Sequence, residues 1–164
     1  MIDVTGSKTQ ERARFMQEIH RTTIQLQQHR DKHVSGIDSA LAQRAVAMAL
    51  PLVEAAMRDP FYGDSGFLHI VVMDPYADPA RASFEEAILH EHSVGERSKW
   101  DADYAAFARA KARESWSARA DNPKGAVCLD GIVVGASGAF EPFDQAYAGT
   151  VAMCLRALSR HRSS

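Results

Sequence analysis

The chain has 164 residues and a mass of 18.0 kDa, the size of one domain rather than two. Lys and Arg (19) nearly balance Asp and Glu (21) and the isoelectric point lies near 6.4, which argues against a dedicated nucleic-acid binder or a polybasic membrane surface. Its apolar residues include 27 alanines against 34 Leu, Ile, Val and Phe together, so the core must be built partly by close approach of backbones.

Met1 to Gly6 carries no apolar stretch or small-residue cleavage site, so no secretory signal is expected and the compartment read from it is the cytoplasm. Thr9 to about Arg30 is polar and helix-favouring, with a thin apolar stripe of Phe15, Met16, Ile19 and Leu26. We read residues 1–36 as a peripheral helix or oligomer arm, and residues 37–164 as a single α+β domain. Asp38 or Ser39 caps a helix carrying Leu41, Ala45, Val46, Ala49, Leu52, Val53 and Ala56, and Pro51 is expected to kink or split it. The apolar run from Ala45 to Met57 is too short to span a bilayer and contains Glu54. Tyr62 to Gly66 is a turn cluster.

Phe67 to Met73 is the clearest strand, β-branched in its middle and bounded by glycine and Asp74-Pro75. Ser83-Phe84-Glu85-Glu86 has the form of a helix-opening capping box, yet Ala87 to Val94 is equally a strand; we take it as a strand, because it can pair with the one before it. Asp101 to about Ala120 is a helix, acidic at its start and basic later, with Tyr104, Ala105, Ala108, Ala112 and Trp116 on its apolar face. Ala126 to Leu129, Asp130-Gly131 and Ile132 to Gly135 form a two-residue hairpin. Pro142 starts a last helix running through Arg160. The expected order is α-α-β-β-α-β-β-α, an antiparallel sheet of about four or five strands with helices packed on it.

Three stretches carry a resemblance. They are Ile70-Val71-Val72-Met73-Asp74, Ala108-Arg109-Ala110-Lys111-Ala112, and Asp130 to Ala139 followed by Asp144. Together they are similar to the first strand, the "A-x-x-K-A" helix and the glycine-rich hairpin of the GlcG/HbpS-like family, the heme-degrading domain family. The resemblance spans roughly residues 40–158. It implies a profilin-like domain that forms homo-oligomers and, in some members, binds heme or a related tetrapyrrole.

His90-Glu91-His92 is the pattern most like a site. On a strand His90 and His92 share one face, and His69 on the neighbouring strand can fall beside them in a suitable register. Three converging imidazoles would suit a divalent metal or serve as axial ligands of heme. A solvated face explains the same pattern. Lys111 is the candidate anchor for a ligand carboxylate or heme propionate, or it pairs with an acid on another element. Asp74 reads as a turn cap, and Gly135-Ala136-Ser137-Gly138 as a tight reversal or a weak anion nest. Cys128 and Cys154 sit in apolar surroundings and read as free thiols. No G-x-S-x-G, Walker or H-E-x-x-H pattern occurs. Three functions remain open: a small-ligand-binding oligomer with heme as the best single ligand, a small enzyme acting on an organic acid, and an assembly subunit with no site.

Overall fold

Asp38 opens the first helix: its carboxylate accepts the Leu41 N–H at 2.8 Å and satisfies one of the donors that a helix start leaves free. The computed structural model describes residues 36–59, 61 and 66–162, with Met16 alone from the preceding segment. The chain divides into two compact units, Met1–Ser35 and Gly36–Ser164, and the architecture that follows is that of the second. The helix expected over residues 9–30, Met16 apart, and most of the turn cluster expected before the first strand lie outside the described residues.

The elements of this unit are α1 (Ser39–Met57), β1 (Leu68–Met73), β2 (Ile88–Val94), a short 3-10 turn (Arg97–Lys99), α2 (Tyr104–Ala118), β3 (Ala126–Leu129), β4 (Ile132–Ser137) and α3 (Glu141–Arg162). α1 continues through Pro51 and is not split there. Proline deprives the Ala47 carbonyl of its helical donor, but Ala47 and Pro51 are both exposed, so water can replace the missing bond. The ambiguous segment resolves as strand. Ser83 and Glu86 do make the reciprocal bonds of a capping box, 3.0 Å from the Ser83 N–H to the Glu86 carboxylate and 3.3 Å from the Glu86 N–H back to the hydroxyl. The turn they close nevertheless leads into β2, because residues 88–94 have β1 to pair with. The hairpin stands as expected: Asp130 and Gly131 both adopt positive φ, 53° and 85°, the conformation a two-residue reversal of twisted strands needs.

The four strands form one antiparallel sheet in the order β2-β1-β4-β3. Helices cover both of its faces. Ile70, Val72, Val134 and Ala136 meet α1 and α3, while Val71, Met73 and Val133 meet Ala108, Ala112 and Trp116 of α2. The inner strands β1 and β4 are therefore buried along their whole length. α1 is long and apolar enough, by length and composition only, to cross a membrane; here seven of its residues are buried in the domain.

The alanines find their purpose where α2 meets the sheet. A Cβ built on Gly135 of β4 would lie 2.7 Å from the Ala112 methyl and 2.8 Å from the Ala108 carbonyl oxygen. Helix and strand backbones touch there with nothing larger than a methyl group between them. Gly135→Ala is accordingly expected to destabilise the protein by about 1–3 kcal/mol through overpacking. Gly149, inside α3, has its nearest neighbour 3.8 Å from such a Cβ, so Gly149→Ala should stabilise by about 0.5–1 kcal/mol through helix propensity. Urea denaturation of the two variants beside the parent checks both signs.

Candidate functional site

β2 is an edge strand, and its register on β1 decides what its polar side chains can do. His69 pairs with Ser93, Ile70 with His92, Val71 with Glu91 and Val72 with His90. Directly paired residues project from the same face of a sheet. Val71 belongs to the α2 face and Ile70 and Val72 to the α1 and α3 face. His69, Glu91 and Ser93 thus lie on the α2 side, while His90 and His92 lie on the other. The expected convergence of His69, His90 and His92 does not occur, because strand alternation puts a sheet between them. His90 and His92 themselves stack, with ring centroids 6.3 Å apart and planes inclined at 28°.

His69 is almost wholly buried, 4% exposed, and both ring nitrogens are engaged. Nδ1 lies 2.9 Å from the Ser93 hydroxyl and Nε2 lies 3.1 Å from Glu91 Oε1. Glu91 is gripped in turn by both arms of the Arg109 guanidinium, with Nε donating at 2.7 Å. That guanidinium, with His69 adding to it, holds the Glu91 carboxyl at about 2 against an ordinary 4.5. Burial depresses the His69 pKa, and the opposing pull of Glu91 does not cancel it. The carboxylate is therefore an acceptor only. A neutral imidazole beside it must carry its proton on Nε2, leaving the Nδ1 lone pair to accept from Ser93.

His69, Glu91, Ser93 and Arg109 line a cleft of about 690 Å³ between β2, the 3-10 turn and α2. Ala105, Ala106 and Ala110 form its small apolar wall, and Arg97, Arg109 and Arg113 line it alongside the carboxylates of Glu91, Asp103 and Glu114. Arg109 is committed to Glu91 and Arg113 to Glu85. Arg97 rests over the Trp100 ring at 5.0 Å and makes no ion pair among the described residues. Trp100 meets His69 edge-on, at 6.0 Å between centroids.

Lys111 is elsewhere and already neutralised. Its Nζ donates at 2.8 Å to Asp144, which is 1% exposed, and lies 3.3 Å from the Ser137 hydroxyl. The other Asp144 oxygen accepts the Ala139 N–H at 2.9 Å, and burial, the largest influence on this carboxyl, raises its pKa. This pair ties α2 to the start of α3 and has no charge left for a ligand. Asp74 caps its turn by accepting the Tyr76 N–H at 2.8 Å. Gly135 to Ser137 are strand residues, so no anion nest forms there. Cys128 and Cys154 are free, and partial burial raises both thiol pKa values. Among the described residues no group of three or more His, Cys, Asp or Glu side chains is placed to hold a metal ion.

Compared with protein-family models, curated proteins and solved structures, the chain matches none. Sequence reasoning missed Ser93, Arg97 and Arg109. The usable signal was Glu91-x-Ser93, which alternation places on one face together with any histidine paired to it.

Glu91 supplies stability above its unfolded pKa of about 4.5, and that stability is lost as pH falls towards about 2. Because Arg109 is 46% exposed, solvent screening leaves a contribution of about 1–2 kcal/mol. Glu91→Gln should be less stable than the parent by that amount at pH 7, and the gap should close between pH 4.5 and 2 in urea titrations. His69 acts with the same sign: its lowered folded pKa means stability falls as pH drops below 6.5. Lys111→Met, which strands Asp144 without its cation, should lose about 3–5 kcal/mol, and Lys111→Met/Asp144→Asn should recover much of it.

Proposed function

We propose that this chain is a small-ligand-binding domain whose ligand, a compact organic anion of the carboxylate class, sits in the cleft between β2 and α2. One observation carries the reading: Arg97 is the cleft cation without a carboxylate partner among the described residues, beside the buried His69. A guanidinium presents a planar fork that matches a carboxylate, and the indole beneath Arg97 holds it in place. The cleft is large enough for a small organic acid and its alanine wall admits a short carbon chain.

A tetrapyrrole, which the family resemblance implies, finds a reduced ligand set. His69 has both nitrogens engaged and Lys111 is neutralised by Asp144, so His90 and His92 are the residues left to bind its iron. The same pair is what remains for a divalent metal. Self-association belongs to the proposal too: α1 exposes Met48 and Leu52 side by side on one face. Light scattering should then report a multimer that Met48→Glu/Leu52→Glu dissociates.

Titration with acetate, succinate and citrate, followed by calorimetry and by amide shifts of residues 91–113, tests the ligand class. We expect Arg97→Gln to weaken the best of them by about tenfold or more, and His90→Ala/His92→Ala to leave its affinity unchanged. The reading fails if no carboxylate moves those amides, or if Arg97→Gln binds like the parent. Hemin added to the same variants reads the alternative through a Soret band that depends on His90 and His92.

A further inference from the structure

We propose that Ser93, His69 and Glu91 form a nucleophile, base and orienting carboxylate that hydrolyse a small carboxylic ester in this cleft. The inference rests on the ligand reading above, because the product of such a reaction is a carboxylate. Three features of the geometry support it. The hydroxyl, imidazole and carboxylate form one hydrogen-bonded chain, 2.9 Å from Ser93 to Nδ1 and 3.1 Å from Nε2 to Glu91. All three line the same cleft. The tautomer is imposed, since a carboxylate held ionised by Arg109 can only accept from Nε2. Relative to the serine-protease triad the two ring nitrogens have exchanged partners, which leaves the proton path from hydroxyl to imidazole intact. Burial keeps His69 neutral and so able to take a proton.

The reaction balances with water as the co-reactant. Ser93 Oγ attacks the ester carbonyl carbon and its proton passes to His69 Nδ1. Collapse of the tetrahedral adduct breaks the ester C–O bond, and the Nδ1 proton leaves with the alkoxide as an alcohol. Water then attacks the acylated Ser93, giving a proton to Nδ1. Breakage of the acyl–Oγ bond returns that proton to Oγ and releases the carboxylic acid, which ionises at neutral pH. Arg97 faces the negative charge of the adduct and then of the product. Arg109 is a positioning residue, acting through Glu91.

The full-length protein is treated with a fluorophosphonate, which transfers its phosphonyl group to an activated serine as P–F breaks and O–P forms. Intact-mass and peptide mass spectrometry should find one adduct, on Ser93. Ser93→Ala should abolish it, and His69→Gln should slow it by about a hundredfold or more. Arg109→Gln should slow it less and change its pH profile, a readout that a merely structural role would not move. With p-nitrophenyl acetate the parent should release a burst of about one nitrophenol per chain, absent in Ser93→Ala. An unlabelled Ser93 in the folded parent overturns the proposal and makes the serine no more than a partner satisfying a buried imidazole. Carboxylate binding without labelling would sink this inference alone. Labelling of Ser93 without carboxylate binding would sustain the nucleophile and refute the ligand reading.

Discussion

Burial of β1 and β4 on both faces is the constraint from which the rest of this structure follows. Inner strands with no solvent side must carry apolar residues at nearly every position, which is why Leu68 to Met73 breaks the usual alternation. His69 is the polar exception in β1, and a buried imidazole in an apolar sheet must find partners for two ring nitrogens. The edge-strand residues opposite and diagonal to it, Ser93 and Glu91, supply them. The cleft chemistry thus starts from a packing requirement: one histidine in the central strand obliges the edge strand to be polar.

The electrostatics propagate outward from that histidine in a short series. Glu91 orients the ring, Arg109 holds Glu91 ionised, and both of its contacts come from the exposed side of α2. α2 approaches closely because Gly135, Ala108 and Ala112 leave no side-chain bulk between helix and sheet. A thicker interface would lift Arg109 away from Glu91 and loosen His69. The abundance of alanine and the geometry of the polar chain are therefore one design problem, solved at the same contact.

Lys111 illustrates the other use of a buried charge. Gly125 has φ of 137°, and a Cβ there would stand 3.0 Å from Lys111 Nζ and 2.8 Å from the Asp144 Cβ. A glycine is thus needed for the ion pair to close beneath the hairpin, and the pair fixes α2 against the start of α3. Its energy goes into holding the frame that presents Arg109 and Arg113 to the cleft.

Much of the frame was legible in the residues alone. Asp38, the β-branched run before Asp74, the Asp130-Gly131 reversal and the alanine-rich helices are local signals, and local hydrogen bonding and periodicity decide them. Pro51 does not split α1, because the effect of a proline depends on whether the freed carbonyl reaches water, which is a matter of which way the helix faces. The site was hidden for a related reason. Strand alternation alone puts His90 and His92 on one face and Glu91 and Ser93 on the other. Only the pairing of β2 with β1 decided which of those faces His69 joins, because shifting a strand by one residue exchanges its two faces. That register joined Ser93, His69 and Glu91 and parted the histidines. Packing of α2 then brought in Arg109 from 18 residues away.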